Sequence, residues 1–327
     1  MLRTAVIGVG HLGKQHARIH AALAQEGRSE FAGICDIDEA RGAEIVKLYG
    51  GSSRSDWRAL IGEVDAVSLA VPTESHAEIA CAFLEQGVHV LVEKPIARTV
   101  AEADAMIASA VKGGAILQVG HTERFNPAMI ALRPHVRAPV YFEIHRVGQF
   151  TARSLDIDVV LDLMIHDLDI VQWLVGENVE VANVHAVGIP ILTNRVDAAN
   201  ARIEFATGAV ANITASRVGT EKIRKMRFFQ PRDYVVVDYS NNYAAISSLA
   251  QSATSPWPGV RTQVLDVADV EPLRAQIDSF LEAAINRTQP IVSGADGRRA
   301  LSLALRTLEE IQQHTVRIGA SLAQSPA

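Results

Sequence analysis

A charged pair directly follows one of the most apolar runs in the chain. Residues 88–92 read Val-His-Val-Leu-Val, and Glu93, Lys94 and Pro95 come next. A lysine that is partly desolvated in a cleft can exchange a proton with a substrate hydroxyl or donate a hydrogen bond to a developing alkoxide. The alternative is that Glu93 and Lys94 form a solvated pair in a turn. The position of the turn in the fold decides between the two interpretations.

A second pair of ionisable residues lies in DVVLDLMIHDLDIVQWL, residues 158–174. Asp162 and His166 are four residues apart on a helix predicted over about 158–175, so they share one face. An imidazole can act as a general base at neutral pH, and a carboxylate one turn away can orient it. A polar stripe on an amphipathic helix has the same spacing. The role of Asp169 on this face stays open, and Asp167 is predicted to point elsewhere.

Three glycines form a GxGxxG pattern in AVIGVGHLG. Gly8 allows a tight turn, Gly10 lets the backbone approach a pyrophosphate, and Gly13 lets the following helix pack on the strand. The pattern follows a predicted strand and begins a predicted helix, which is the context that dinucleotide binding requires. We assign His11 and Leu12 of the same loop to the cofactor site as well.

The end of the second predicted strand indicates which dinucleotide is bound. FAGICD ends in Asp36, where a carboxylate can accept hydrogen bonds from ribose hydroxyls. The negative charge opposes a 2′-phosphate, so the sequence favours NAD and disfavours NADP. Arg41 is the one nearby cation that would favour NADP. A helix cap is the structural alternative for Asp36.

Other cofactor-site residues are predicted from their place at strand ends, because ligands of doubly wound sheets bind at the carboxyl edge. His76 has an alternative interpretation as a surface residue of the next helix. The further candidates for cofactor contacts are Ile37, Val71, Pro72, Thr73, His76, Glu93, Lys94 and His121.

The pattern of apolar runs predicts an α/β fold with two domains. RTAVIG, FAGICD, DAVSLAV, VHVLVE and AILQVG lack strict alternation and are separated by amphipathic stretches, which is typical of a doubly wound parallel sheet. We assign residues 1–121 to this Rossmann domain and 122–327 to an α+β domain for substrate binding and oligomerisation. In the second domain EFATGAVANI predicts a hairpin that turns at Thr207 and Gly208. Helices are predicted at about 270–287 and 296–315.

Composition limits the classes of partner. The chain has 327 residues, is 48% hydrophobic and carries a formal net charge of -6, so we expect a soluble globular protein without a nucleic-acid partner. No long uncharged apolar stretch predicts a membrane span, and we expect a cytoplasmic location. Cys35 and Cys81 predict neither a disulfide framework nor a metal site, and the histidines form no ligand-spaced cluster.

GVGHLG, PTESH and VEKPIA, in this order, resemble the glucose-fructose oxidoreductase, inositol dehydrogenase and MocA family. The resemblance covers the whole chain. It implies a C-terminal domain with a large open-faced, mostly antiparallel sheet, redox chemistry at a sugar or cyclitol carbon, and a homodimer or homotetramer built through that sheet. It also implies that Lys94 and the Asp162–His166 pair are catalytic, with either Lys94 or His166 as the base. The Lys94–Pro95 peptide bond is predicted to be cis.

Two segments carry a narrower resemblance. VGHTERFNP, residues 119–127, and DIDVVLDLMIHDLDI, residues 156–170, are similar to members that act on nucleotide sugars, in particular UDP-N-acetylglucosamine 3-dehydrogenases of surface glycan or lipid A precursor pathways. The resemblance implies that Arg124 and Asn126 contact the substrate together with Lys94, Asp162 and His166. The alternative for Arg124 is an interdomain salt bridge, and for Asn126 a helix cap before Pro127.

Two rival functions stay open at this point. The first is an inositol, free-sugar or dihydrodiol dehydrogenase of the same family. The second is a regulator that binds NAD and has lost its chemistry; the joint presence of Lys94, Asp162 and His166 argues against it. TSPWPGV, around Trp257, is predicted to form a loop near the substrate.

Overall fold

Parallel strands alternate with helices over the first 120 residues, as the apolar runs predict. The sheet has the order β3-β2-β1-β4-β5-β6, and β4 and β5 are buried along their whole length. The elements are β1 (Arg3–Ile7), α1 (His11–Gln25), β2 (Glu30–Cys35), α2 (Glu39–Tyr49), β3 (Ser52–Arg54), β4 (Ala66–Leu69), α3 (His76–Glu85), β5 (His89–Glu93), α4 (Val100–Gly113) and β6 (Leu117–Gly120).

A larger, mixed sheet follows in sequence. Its order is β14-β13-β12-β11-β7-β10-β9-β8, and every pair is antiparallel except β7 with β10. The remaining elements are α5 (Pro127–Leu132), β7 (Tyr141–Val147), α6 (Ile165–Val175), β8 (Val181–Ile189), β9 (Ala198–Phe205), β10 (Val210–Ser216), β11 (Ile223–Gln230), β12 (Asp233–Asp238), β13 (Tyr243–Ala250), β14 (Gly259–Val264), α7 (Pro272–Asn286) and α8 (Gly294–Ala323).

The structure is a computed structural model that describes residues 1–150, 157–250 and 259–323, with side chains described to residue 317. Trp257 and Asp156, on which two of the sequence predictions depend, lie outside these residues. The predicted hairpin is confirmed as β9 and β10, with Thr207 and Gly208 between them. The predicted fold class, a Rossmann domain followed by an α+β domain with a large and mostly antiparallel sheet, is confirmed.

The chain divides into two units. Unit 1 contains residues 1–125 and 270–301, and unit 2 contains residues 126–269 and 302–327. The sequence predicts one domain over 122–327, whereas the structure groups residues 270–301 with residues 1–125. The reason is burial: Ile277, Phe280 and Leu281 of α7 share an apolar cluster with residues of α1, β4 and β5. Burying each such large apolar side chain stabilises the fold by about 1.5–3 kcal/mol.

One face of the large sheet is a continuous apolar layer. A row of residues in register runs across seven strands and is buried throughout: Ala186, Ala201, Ile213, Ile144, Met226, Val237 and Ala244. The next row on the same face differs, because β7 and β11 place Arg146 directly opposite Arg224 there. The opposite face is more exposed and includes Val187, Ile189 and Phe229.

Strands β3, β11, β13 and β14 were not predicted from the sequence. Strand β3 has only three residues and no apolar signal, and β14 is exposed at every position. Buried and more exposed residues alternate in the second half of β11, but its arginines and lysine interrupt the apolar pattern that would predict a strand. No helix in the described part of the chain is long and apolar enough to cross a membrane.

Candidate active site

The three glycines of the first loop are needed for different reasons. Gly8 has φ +81°, and a Cβ there would lie 2.7 Å from the Ala70 carbonyl oxygen; a Cβ on Gly13 would collide with the Gly8 carbonyl oxygen. A Cβ on Gly10 would meet nothing within 4 Å. The packing of the protein therefore explains Gly8 and Gly13, whereas Gly10 leaves the backbone open to close approach of a ligand, as predicted for a pyrophosphate. Helix α1 begins at His11, so its first N–H groups are available to phosphate.

Asp36 follows β2 and is held by the backbone. The N–H of Val9 donates to its Oδ2 (2.8 Å) and the N–H of Asp38 donates to its Oδ1 (2.9 Å). Arg41 Nη1 lies 3.4 Å from the same Oδ1. Asp38, and not Asp36, caps helix α2, so the helix-cap alternative for Asp36 is wrong.

A cavity of about 510 Å³ lies along this edge of the six-stranded sheet. It brings together many of the predicted cofactor residues, and Trp57 and Ser55 are lining residues that the sequence analysis did not identify. The predicted residues that line it are Gly8, Gly10, Asp36, Ile37, Val71 and Pro72. His11 lines an adjacent cavity with Gly10 and Lys14, whereas Leu12 is exposed and Gly13 is buried beneath the loop.

His76 is buried between two turns and is not a surface residue. Its Nδ1 lies 3.0 Å from the Pro95 carbonyl oxygen, and its Nε2 lies 3.0 Å from the Val71 carbonyl oxygen. Burial lowers the pKa of His76 although both carbonyls act in the opposite direction. The ring thereby joins the turn after β4 to the turn after β5. Thr73, in the turn after β4, is half-buried.

Glu93 is buried, so the interpretation of Glu93 and Lys94 as a solvated pair is wrong. Its Oε1 lies 3.1 Å from His16 Nε2, and Gln276 Nε2 donates to it at 3.4 Å. Burial acts to raise the pKa of Glu93, but the His16 hydrogen bond and the charges of His16 and Lys94 hold it below its usual value. His16 and Gln276 were missed by the sequence analysis because they lie far from Glu93 in sequence.

Lys94 lies at the carboxyl end of β5 and is half-buried. The Lys94–Pro95 bond is cis, as predicted. The backbone N–H of Lys94 donates to Glu93 Oε2 at 3.3 Å, so the buried carboxylate also holds the backbone of the proposed catalytic residue. His121, which follows β6, is buried in the same unit.

Arg124 and Asn126 both have structural partners. Arg124 is buried in unit 1, where its Nη2 lies 3.0 Å from Asp296 Oδ1. Burial acts to raise the pKa of Asp296, but the charges of Arg124 and Arg299 and the hydrogen bonds from Ser293 together lower it. This ion pair lies within one unit rather than between domains. In unit 2, Asn126 caps α5 by accepting from the Ala128 N–H at 3.0 Å. Their contact with a nucleotide sugar stays a prediction.

The helix expected over 158–175 has two parts. Residues Val160–Met164 form a π-helical turn, and α6 continues from Ile165. Asp162 lies in the π-helical turn and His166 is the second residue of α6; both are half-buried. Single π-helical turns occur frequently at functional sites.

Asp167 forms a buried ion pair that the sequence analysis missed. Arg146 donates from Nε to Oδ2 (2.7 Å) and from Nη2 to Oδ1 (2.8 Å) of this carboxylate. The signal was present in the sequence, because Arg146 is in phase with Phe142 and Ile144, the buried positions of β7. A cavity of about 390 Å³ in unit 2 is lined by Arg146 and Asp162 among others.

Comparison with known proteins identifies the family. The model of the GFO/IDH/MocA oxidoreductase family, NAD-binding Rossmann fold, matches residues 2–121, and that of the GFO/IDH/MocA C-terminal domain matches residues 131–230. The chain belongs to the GFO/IDH/MocA oxidoreductase family. Members of this family that it resembles include both nucleotide-sugar and inositol dehydrogenases.

Two relatives, one of them with a solved structure, illustrate the range of similar proteins. A UDP-N-acetylglucosamine 3-dehydrogenase from Acidithiobacillus ferrooxidans is 40% identical over 93% of this chain and 96% of its own length. A solved structure of that enzyme superposes with a TM-score of 0.89 at 40% identity, covering 95% of this chain and 98% of the other. A myo-inositol 2-dehydrogenase from Thermotoga maritima is 27% identical over 94% of this chain and 97% of its own.

The family and the site agree on the class of reaction. The chain is an NAD-dependent dehydrogenase that acts on a CH–OH group of a small-molecule substrate. The open backbone at Gly10 and the fixed carboxylate of Asp36 fit NAD, which the family model names. Among the residues that the structure describes, no group of three or more His, Cys, Asp or Glu side chains is placed to bind a metal.

Proposed function

We propose that this protein is a UDP-N-acetylglucosamine 3-dehydrogenase, which oxidises C3 of the sugar to a ketone and reduces NAD to NADH. The observation that carries the proposal is the 40% identity to an enzyme of that name over almost the full length of both chains. The match covers 93% of this chain and so extends over both domains.

The proposed cofactor site uses residues of unit 1. The first turn of α1 meets the pyrophosphate, the backbone at Gly10 approaches it closely, and Asp36 accepts from the ribose hydroxyls. Val71 and Pro72 line the same cavity. When bound, NAD supplies the nicotinamide ring that accepts the hydride.

The proposed chemistry uses three side chains. Lys94 donates a hydrogen bond to the reacting oxygen and stabilises the negative charge that develops there. His166 accepts the proton of the hydroxyl, and Asp162 orients the imidazole and stabilises its protonated form. Lys94 is the alternative base. Buried Glu93, held by His16 and Gln276, positions the backbone of Lys94.

A homodimer or homotetramer through the large sheet is part of the proposal. Support comes from apolar side chains on the more exposed face, where Val187, Ile189, Phe229 and Leu249 are each between 41% and 54% exposed. We also propose a reducing, cytoplasmic location, which the two free cysteines Cys35 and Cys81 support. Light scattering of the purified protein would measure the oligomeric state directly.

An inositol dehydrogenase is the second candidate, because the Thermotoga maritima relative aligns over 94% of the chain. Absorbance of NADH separates the two when the protein is mixed with NAD and either UDP-N-acetylglucosamine or myo-inositol. The nucleotide sugar should be oxidised and the polyol should not. A parallel sample with 2-oxoglutarate tests whether NADH stays bound and is reoxidised in place, because oxidised sugar would then accumulate without free NADH.

The outcomes are distinct. Oxidation of myo-inositol alone would show that the protein is an inositol dehydrogenase. The family and the proposed catalytic residues would be unaffected. If the protein bound NAD yet oxidised neither compound nor free sugars, the proposed substrate would be wrong.

A further inference from the structure

The 390 Å³ cavity of unit 2 has a strongly cationic lining. Arg146, Arg217, Lys222 and Arg224 contribute four positive charges, and Asp162 is the one carboxylate among the described residues that line it. The protein as a whole carries a net charge of -6, so this concentration of positive charge is local. A small-molecule ligand for such a cavity would carry negative charge.

The arrangement of two of these arginines opposes stability. Arg146 and Arg224 are directly opposite each other in the antiparallel pair β7–β11, and the preceding pair on this face is Ile144 with Met226. Like charges at directly opposed positions destabilise a sheet, whereas an apolar pair would continue the buried layer. Because Asp167 compensates the charge of Arg146, the position favours a function over packing for the Arg224 guanidinium group.

Carboxylates outside the cavity lining orient the buried arginines. Asp167 holds Arg146 through two hydrogen bonds, of 2.7 and 2.8 Å. Asp197 Oδ1 lies 3.5 Å from Arg217 Nε, and Arg217 also donates to the carbonyl oxygens of Ile157 and Val196. A site whose donors are fixed before the ligand arrives loses less side-chain entropy on binding.

We propose that this cavity binds the diphosphate of a nucleoside-diphosphate sugar. The inference rests on the proposed function and extends it by assigning the residues that recognise the nucleotide part. Arginine matches phosphate oxygens with two parallel N–H donors, and lysine adds a point charge. Asp162 lines the same cavity, so a diphosphate bound by Arg224 and Lys222 leaves the attached sugar near a proposed catalytic residue.

Calorimetric titration of the NAD-loaded protein tests the proposal. The ligands are UDP, uridine, inorganic phosphate and 2-oxoglutarate, none of which the proposed reaction oxidises, and the variants are Lys222→Gln and Arg224→Gln. The matched control is Arg227→Gln, which removes the same charge from the same strand on the opposite face. We expect UDP to bind and uridine to bind at least about tenfold more weakly, because each charge-assisted hydrogen bond contributes about a factor of ten.

The variants should separate binding from chemistry. Lys222→Gln and Arg224→Gln should each raise the Kd for UDP and the KM for UDP-N-acetylglucosamine about tenfold, because uniform binding is lost while kcat stays close to wild type. Arg227→Gln should leave both constants unchanged. Unchanged NAD affinity in all three variants shows that they are folded.

Failure of this inference is distinguishable from failure of the proposed function. If the wild type oxidises UDP-N-acetylglucosamine and both variants keep its KM, the cavity does not bind the diphosphate, and the proposed function stands. If another nucleotide sugar is the substrate but depends on Lys222 and Arg224 in the same way, the diphosphate site stands and the sugar is wrong. Phosphate or 2-oxoglutarate binding as tightly as UDP, with the same dependence on these residues, would make it a simple anion site and overturn the proposal.

Discussion

The two regions proposed to bind phosphate groups, one in unit 1 and one in unit 2, use different hydrogen-bond donors. In unit 1 the proposed pyrophosphate site is formed by backbone N–H groups at the start of α1, and charged side chains of both signs line the cavities at this edge, among them Asp36, Arg41 and Lys14. In unit 2 the proposed diphosphate site consists of cationic side chains from β7, from the residue after β10, from the residue before β11 and from β11 itself. A backbone site cannot be removed by truncating a side chain but can be blocked by adding one atom. A side-chain site is weakened by each charge that is removed.

The difference also separates binding from catalysis. The backbone loop of unit 1 is proposed to bind the cofactor, while Lys94 in the same unit is assigned to the chemical step. Variants of either region should therefore change one kinetic constant far more than the other. The five predictions that follow test this separation.

Lys94→Ala should have the largest effect. We expect kcat to fall about 10⁴-fold, because the change removes a donor to the developing alkoxide and a partner in proton transfer. NAD affinity, measured by calorimetry, should stay close to wild type. Lys47→Ala, an exposed lysine of α2, is the control and should have wild-type kinetics. Near-normal turnover of Lys94→Ala would remove this residue from the mechanism.

His166→Asn should lower kcat about 10²–10³-fold by removing the proposed general base. The amide preserves the approximate size of the side chain, so NAD affinity and thermal stability should change little. The measurement is steady-state NADH formation across a pH series. A kcat within about threefold of wild type would instead leave Lys94 as the base.

Gly10→Ala and Gly13→Ala should separate ligand binding from folding. The added methyl group of Gly10→Ala meets no protein atom, so we expect a melting temperature close to wild type and a Kd for NAD raised about tenfold or more. Gly13→Ala should lower the melting temperature because its methyl group collides with the Gly8 carbonyl. Wild-type NAD affinity in Gly10→Ala would contradict the assignment of this loop to the pyrophosphate.

Asp36→Ala should reduce the preference for NAD over NADP by about tenfold. The substitution removes the acceptor for ribose hydroxyls and leaves Arg41, now 3.4 Å from the carboxylate, available to a 2′-phosphate. The ratio of kcat/KM for the two cofactors measures the effect. A ratio that stays constant while both values fall would show that Asp36 only supports the backbone of Val9 and Asp38.

Asp197→Asn tests how much the carboxylate beside Arg217, a residue that lines the cationic cavity, contributes to the free energy of unfolding. Burial acts to raise the pKa of Asp197, but hydrogen bonds from the backbone N–H groups of Ile191, Thr193 and Leu192 lower it from 3.8 to about 2. A lowered folded-state pKa stabilises the fold above the unfolded pKa, and this stability is lost as pH falls from about 4 to about 2. Asp197→Asn should therefore lose about 2 kcal/mol near neutral pH, as measured by urea unfolding. The deficit should vanish in acid; a pH-independent deficit would contradict the cause.

Several features of unit 1 could be predicted because short motifs carry them. The GxGxxG pattern predicts the turn at Gly8, the end of FAGICD places Asp36 after β2, and the resemblance to the family implies the cis Lys94–Pro95 bond. The partners of Glu93 could not be predicted, since His16 is 77 and Gln276 is 183 residues away in sequence. Likewise, Arg146 and Arg224 become neighbours only through the pairing of β7 with β11.

The return of α7 to unit 1 determines when that unit can fold during synthesis. The ribosome completes residues 1–125 long before Ile277, Phe280 and Leu281 exist, yet these side chains complete the apolar cluster around Ile19 and Leu91. Until then the nascent chain exposes the apolar surface that α7 will cover, a state in which chaperones commonly bind. The first 125 residues therefore lack part of the apolar core of unit 1, and exchanging this unit between relatives requires two segments, 1–125 and 270–301, rather than one.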